Sequence, residues 1–440
     1  MNTPRLKSLS PDVLEISLSM LTPLELTFMC LASGAVQETV QNYVSKLVSK
    51  VAQREGLYAL RDRLGALWLM QVDIGARDAR VATGDWNGLV IKNFACFSFG
   101  ADRRGLGRQI PADAQLRELG TPRRVGGELH TIRISRVAVG SRTAFASGED
   151  GGFFSWGSNE RGQLGLGDTQ DRTMPTPVPD FNDRIVSCVA ADGLRALAIS
   201  GGDVYVWGPP FETRASDVLA PYRFVVSADA APLISASVGA YFGVVLDSEG
   251  GVWWCGKAED TFHLDHLTPT LTRIPALQHV IQVVIGQDHL IVLLATGSVY
   301  DQHNEAAPLP VVTTVVSIEH DSTLAVGLNN LSIVYVHACT RTSFAVSEAG
   351  ELFAWGFGGG GDLVTGTTEY HLTIYERVEA LRSVKIRSLG GVVGLVAVAI
   401  NVETDDEEFY TWGATCVYTS KEDQETHRVK PRRFELDTPL

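Results

Sequence analysis

Cysteine is sparse in this chain of 440 residues, and basic charge falls short of acidic charge. The six cysteines, Cys30, Cys96, Cys188, Cys255, Cys339 and Cys416, include no CxxC pair. That excludes a disulfide framework and zinc knuckles, and it fits single buried thiols in a reducing compartment. Lys and Arg number 37 against 51 Asp and Glu, for a net charge of -14. A field of that sign repels phosphate and anionic lipid, so neither nucleic-acid nor membrane binding is expected. Long apolar runs are missing too. The nearest is the Gly-broken LGGVVGLVAVAI at 389–400, short of the roughly 18–20 residues that span a bilayer. The first 25 residues carry Asp12, Glu15 and Glu25 with no clean apolar block, unlike a signal peptide. An intracellular, soluble protein, cytoplasmic or nuclear, is expected.

What the chain has is glycine, 43 residues, tryptophan, 8 residues, and an apolar fraction of 45%. That fraction supports a sizeable core, and the glycines and tryptophans recur in register. RTAFASGEDGGFFSWG (142–157) aligns without a gap on RTSFAVSEAGELFAWG (341–356), with nine identities in sixteen positions. Anchoring on the closing aromatic-Gly pair places Phe99-Gly100, Trp156-Gly157, Trp207-Gly208, Cys255-Gly256, Trp355-Gly356 and Trp412-Gly413, with Tyr300-Asp301 as a degenerate member. The steps are 57, 51, 48, 45, 55 and 57 residues. A second marker runs in phase: a short basic or Pro-led segment ending in a β-branched or aromatic residue. Its copies are TPRRV (121–125), TPV (176–178), PYRF (221–224), LTRI (271–274), LPVV (309–312), YERV (375–378) and PRRF (431–434).

Within a repeat, alternation and β-branched content predict strands. VAVGSRTAFA (137–146), SVGAYFGVVL (237–246) and VIGQDHLIVLL (284–294) each read as one buried strand bent at a glycine. Acidic-Gly turns such as DSEGG (247–251) and SEAGE (347–351) follow, and then a returning strand. A sheet of about 50 residues cannot bury both faces alone, so neighbouring sheets must pack radially into a ring. The expected fold is mainly β: a seven-bladed β-propeller over 81–436, preceded by a small α-helical module over 1–75. Trp156, Trp207, Trp355 and Trp412, at fixed phase, are expected between blades rather than as a stacking platform for bases.

The loop after the second anchor, SWGSNERGQLGLGD (155–168), resembles the signature of the regulator-of-chromosome-condensation repeat. AWGFGGGGDLVTGT (354–367) and SFGADRRGLG (98–107) are eroded copies. The resemblance implies a propeller that binds a protein partner and, as in the name-giving member, guanine nucleotide exchange on a Ran-like small GTPase.

Ahead of the repeats, Val36, Val40, Tyr43, Val44, Leu47, Val48 and Val51 recur at helical spacing. LSPDVLEISLSMLTPLELTFMCLASGAV (9–36) resembles the opening of an F-box, a helical module that docks on the Skp adaptor of cullin-type ubiquitin ligases. Residue by residue, the resemblance gives Leu9, Pro11, Leu14, Ile16, Leu21, Leu24 and Leu26 adaptor-facing and core positions. The sequence departs from the pattern where Ser10 separates Leu9 from Pro11 and where Ser33-Gly34-Ala35-Val36 replaces a basic-aromatic ending. A helical cap on the propeller is the alternative for this segment.

Chemistry-bearing patterns are few. His263-x-x-His266 with Asp265 lacks a cysteine or further clustered carboxylate, so no metal site is expected. Gly358 to Gly361 is followed by no Lys-Ser or Lys-Thr and coincides with a post-anchor loop. The acidic run ETDDEE (403–408) replaces a tight turn and reads as a solvated hairpin tip, where a basic partner is the other reading. Arg103-Arg104, Arg123-Arg124 and Arg432-Arg433 are the basic clusters, expected to pair with nearby acids. No catalytic constellation is visible, and no enzyme activity or cofactor is expected. The leading expectation is a protein-interaction adaptor that joins a propeller-bound partner to a Skp adaptor. A nucleotide exchange regulator and a scaffold without a ubiquitin link are the alternatives.

Overall fold

In the computed structural model, residues 80–436 are described apart from several short segments and the longer stretches 257–270, 304–330 and 414–429. Val44, Lys46, Leu47, Gln71 and Ile74 are also described, all in helical conformation. The F-box-like segment, and most of the module expected over 1–75, lie outside the described residues.

From Val81 onward the chain forms antiparallel meanders, one sheet per repeat. Sheet 1 contains β1 (Val81–Thr83), β2 (Asn87–Lys92), β3 (Ala95–Gly100) and β4 (Arg123–Arg124). Sheet 2 contains β5 (Ile134–Val139), β6 (Thr143–Gly148), β7 (Phe153–Gly157) and β8 (Arg172–Pro177), and sheet 3 contains β9 (Val186–Asp192), β10 (Arg195–Ser200), β11 (Asp203–Gly208) and β12 (Val218–Arg223). Sheet 4 is β13 (Leu233–Val238), β14 (Phe242–Asp247), β15 (Val252–Gly256) and β16 (Thr272–Ile274). Sheet 5 has three strands, β17 (Val280–Ile285), β18 (His289–Leu294) and β19 (Val299–His303). Sheet 6 is β20 (Ile333–Cys339), β21 (Thr342–Ser347), β22 (Leu352–Phe357) and β23 (His371–Arg377), and sheet 7 is β24 (Val384–Gly390), β25 (Gly394–Asn401), β26 (Glu407–Gly413) and β27 (Arg432–Phe434).

The expectation of seven complete blades is therefore corrected to six four-stranded blades and one three-stranded sheet among the described residues. The exception is the repeat whose anchor is Tyr300-Asp301, without the glycine of the others; its expected outer strand, LPVV (309–312), lies outside the described residues. Each aromatic-Gly anchor falls in the third strand of its sheet, and the described Pro-led or basic segments fall at or beside the fourth.

A second correction concerns the three apolar runs read as single bent strands. Each is two strands joined by a hairpin that opens at the glycine: Gly140 N donates to Thr143 O (3.0 Å), Gly239 N to Phe242 O (2.9 Å) and Gly286 N to His289 O (2.9 Å). Alternation continues through so short a turn, so the pattern alone does not separate a bend from a reversal.

The first strands line the ring's axis. A cavity of about 180 Å³ there is bounded by residues from β1, β5, β9, β13, β17, β20 and β24. β1 packs on β24 and β25, which closes the ring. Bulges interrupt β5, β9, β13, β17 and β20 near their starts and β24 at its middle. From the residue after the bulge, side chains reach the next first strand. Gln282 Nε2 donates to Val336 O (2.8 Å) while its Oε1 accepts from Val336 N (2.8 Å), and Tyr335 OH donates to Leu389 O (3.0 Å). Two residues further along, Ser237 Oγ accepts from Ile285 N (3.0 Å) and the His337 Nε2–H donates to Gly391 O (3.0 Å). The polar groups on the axis are thus spent on joining sheets, as buried polar groups require.

Apolar layers fill the radial gaps between sheets. The phenylalanine shared by the aligned repeats, Phe145 in one and Phe344 in the other, packs edge-on against the anchor tryptophan of the following sheet, with centroids 5.8 Å apart for Phe145–Trp207 and 6.5 Å for Phe344–Trp412. Between the last and first sheets, Phe99 meets Phe434 at 5.9 Å.

Candidate interaction face

One end of the ring carries the turns between first and second strands, close to the axis, and the post-anchor loops, further out. The anchor glycines join these two sets. Gly100, Gly157 and Gly208 have φ of +135°, +112° and +94°, and a Cβ on any of them would collide with the carbonyl of Trp86, Arg142 or Leu194 respectively. The same carbonyl position accepts the amide that follows the anchor glycine: Ala101 N to Trp86 O (2.7 Å), Ser158 N to Arg142 O (3.0 Å) and, in sheet 6, Phe357 N to Arg341 O (2.9 Å). The turns of sheets 1, 2 and 6 are clamped from below in this way; in sheet 3 the residue after the anchor is Pro209, which has no N–H to donate, and Gly208 only packs under the Leu194 carbonyl. The second turn residue, Trp86, Arg142, Leu194 or Arg341, projects into solvent.

The full post-anchor loop builds itself around Asn159. Its Oδ1 accepts from Leu164 N (2.9 Å), its Nδ2 donates to Asp168 O (2.9 Å), and its amide donates to Asp171 Oδ1 (2.8 Å). Hydrogen bonds from the Gln170 amide and from Arg172 hold the Asp168 carboxyl below its ordinary range. The loop then seats the next sheet's anchor: Trp207 Nε1 donates to Gln163 O (2.9 Å), as Trp156 Nε1 does to Gly105 O (2.9 Å) in the eroded copy before it. Successive loops are also chained by ion pairs, Arg104–Asp171 at 2.5 Å and Arg161–Asp217 at 2.5 Å. Each pair alone contributes little at the surface, yet together they link the loops of sheets 1, 2 and 3 into one arc.

At the inner edge of that arc, Ser141 Oγ donates to Asp85 Oδ2 (2.6 Å) and Ser141 N donates to Gly193 O (3.1 Å). Burial, with Asp85 beside it, raises the Asp192 carboxyl to about 6 against the pull of Arg195. Arg195 Nε donates to Pro209 O (2.9 Å). The first three sheets thus share a semi-buried polar seam under an exposed rim.

The structure separates the residues singled out from sequence. Trp156, Trp207 and Trp412 are at most 1% exposed, and Trp355 is 6% exposed, all within the packed body. Phe99 is fully buried, and Gly256, Gly356 and Gly413 lie in the third strands of their sheets. Leu9, Pro11, Leu14, Ile16, Leu21, Leu24 and Leu26, the His263–His266 segment and Gly358 to Gly361 lie outside the described residues. Among the described residues, no three His, Cys, Asp or Glu side chains gather as a metal would need, and no helix is long and apolar enough to cross a membrane. In the acidic run, Glu407 pairs with Arg80 (2.6 Å) and Glu408 with Arg433 (2.8 Å). Arg103 and Arg124, expected to pair with acids, donate to carbonyls of Pro111, Ala114 and His130. Arg142 and Arg341 open the two aligned segments 142–157 and 341–356, but the rim position does not stand out as a motif because sheets 1 and 3 carry Trp86 and Leu194 there. Counting back 14 or 15 residues from the anchor glycine finds all four.

Residues 150–194 match the regulator of chromosome condensation (RCC1) repeat. Similar proteins include the ultraviolet-B receptor UVR8 of Arabidopsis thaliana, 29% identical over 54% of this chain and 56% of that protein. The secretion-regulating guanine nucleotide exchange factor of Mus musculus is 27% identical over 64% of this chain and 62% of its own length. Protein pim1 of Schizosaccharomyces pombe is 26% identical over 66% and 59%. The chain therefore spans about three-fifths of the length of these relatives. Among solved structures, yeast RCC1 (Prp20) bound to Kap60 superposes with a TM-score of 0.63 at 18% identity, covering 83% of this chain and 87% of that one. Human WBSCR16 gives 0.59 at 18% identity, covering 74% and 87%. The chain carries a regulator of chromosome condensation repeat and has the β-propeller fold of proteins built from it.

Proposed function

We propose that this propeller is a protein-interaction regulator of a small GTPase, acting by guanine nucleotide exchange through the turn-and-loop face of sheets 1 to 3. The observation that carries the reading is the likeness over 64% of the chain to a relative named as a guanine nucleotide exchange factor. A solved propeller of the same fold, Prp20p of Saccharomyces cerevisiae, is described by its binding to Gsp1p and histones. Fold alone does not transfer a function, so the geometry must suit the task. An exchange factor must hold its partner more tightly in the nucleotide-free state than in the loaded one, which calls for differential contacts. Clamped turns and chained loops offer a preorganised surface that loses little freedom on binding.

The test is release of a fluorescent GDP analogue from Ran-like and other small GTPases mixed with the full chain. Accelerated release by one of them supports the reading, and unchanged release across the set overturns it.

The ubiquitin-adaptor reading stands beside it on the F-box-like order of Leu9, Pro11, Leu14, Ile16, Leu21, Leu24 and Leu26. One observation bears on it: Gln71 Nε2 donates to Asp247 O (3.0 Å) and Val280 O (3.0 Å), at the end of the ring opposite the clamped turns. Co-purification of the full chain with a Skp adaptor, and loss of capture in a folded Leu14→Asp, Leu21→Asp variant, is the result that reading requires.

A further inference from the structure

Three neighbouring sheets present, at the same turn position, an aromatic, a guanidinium and an aliphatic side chain. Trp86 is 48% exposed and Leu194 39% exposed, although most large apolar side chains of the propeller are buried. Between them Arg142 is exposed and has no ion-pair partner among the described residues. The amides after the anchor glycines hold the backbone at Trp86 and Arg142, Ser141 N donates to Gly193 O (3.1 Å) beside Leu194, and the paired loops brace the arc, so the side chains are presented from fixed turns. Tryptophan and arginine are the residues most enriched where protein contacts concentrate their binding free energy.

We propose that Trp86, Arg142 and Leu194 form a docking patch for a protein segment that carries a carboxylate side chain between two apolar ones. The carboxylate matches a guanidinium that has no ion-pair partner among the described residues, with bidentate geometry available to arginine and not to lysine. The apolar neighbours match Trp86 and Leu194. A bare phosphate would leave both apolar groups wet, and a nucleic-acid strand would bring a phosphate at every nucleotide against a chain of net charge -14, where the proposed segment brings one carboxylate to one guanidinium. A peptide segment satisfies all three side chains together. The patch lies on the face of the exchange reading, but it requires no exchange activity of its partner.

The probe is a displayed library of random 12-residue peptides panned on the full chain, followed by anisotropy of the enriched peptides, fluorescently labelled. Enrichment of an Asp or Glu flanked by apolar residues is expected. Arg142→Glu should weaken binding at least tenfold, Trp86→Ser and Leu194→Ser several-fold, and Phe94→Ser, at an exposed site on the opposite end, should leave it unchanged. Replacing the peptide's acid by arginine should restore affinity for Arg142→Glu, a rescue that a misfolded variant would not show. Enriched peptides without an acid, or binding indifferent to Arg142→Glu, would overturn the proposal. Because the readout is peptide binding and not nucleotide release, failure of the exchange reading leaves this result intact, and the converse also holds.

Discussion

Gly165 and Gly167 lie two residues apart in the full post-anchor loop and share a left-handed backbone, with φ of +71° and +80°. An alanine at Gly167 would meet nothing within 4 Å, so its cost is conformational, about 1–2 kcal/mol. An alanine at Gly165 carries the same penalty and also places Cβ 3.0 Å from Trp207 Nε1 and 3.1 Å from its Cδ1. The indole is 1% exposed and wedged against Phe145 and Phe153, so it has little room to retreat. Overpacking of that kind costs about 1–3 kcal/mol. Gly165→Ala should therefore destabilise the propeller by about 2–5 kcal/mol and exceed Gly167→Ala by about 1–3 kcal/mol. Urea denaturation followed by tryptophan fluorescence, with unchanged slope, measures the difference as a shift in midpoint. In a Trp207→Phe background the excess at Gly165 should shrink toward the Gly167 value, because the two sites are in contact. Equal costs for the two alanines would refute the idea that this glycine is the seat of the next sheet's anchor.

Three further outcomes follow from the polar seams. Asp192, raised to about 6 by burial and by Asp85, binds its proton more tightly folded than unfolded, so its stabilising contribution is complete below the ordinary carboxylate range and is lost as pH rises through about 6. Asp192→Asn should accordingly gain about 1–3 kcal/mol over the parent at pH 7.5 and lose that advantage near pH 4, read from thermal midpoints across pH. His337 has the opposite sign: burial lowers it to about 4, so its neutral form stabilises the ring above the ordinary histidine range and that stability is lost as pH falls toward 4. His337→Gln should flatten the stability profile between pH 6.5 and 4 in the same scans. Tyr335→Phe removes the donor to Leu389 O in a fully buried joint and should cost about 1–3 kcal/mol in urea denaturation.

Much of this architecture is legible in the chain because glycine and tryptophan mark places where geometry admits few alternatives. Gly157 sits where any side chain would strike the Arg142 carbonyl, and Trp207 spans the gap between sheets 2 and 3. The step from anchor to anchor, and the outer strands in phase with it, follow directly. The hairpins at Gly140, Gly239 and Gly286 were hidden because a two-residue reversal preserves alternation. The bonds from Gln282, Tyr335 and His337 to neighbouring strands were hidden for another reason: the bulges that aim them leave no residue signature. The rim is the extreme case. Its backbone is fixed by glycine, yet its side chains face solvent, so packing imposes no residue type on Trp86, Arg142, Leu194 and Arg341.

Hydrogen–deuterium exchange of the full chain, alone and with a nucleotide-free small GTPase selected by the release assay, tests the central claim most directly. The account predicts slowed exchange in the turns at 84–87, 140–143 and 192–195, with the opposite end of the ring at 92–95 and 401–407 unchanged. Protection confined to that opposite end, or absent from both, would contradict it.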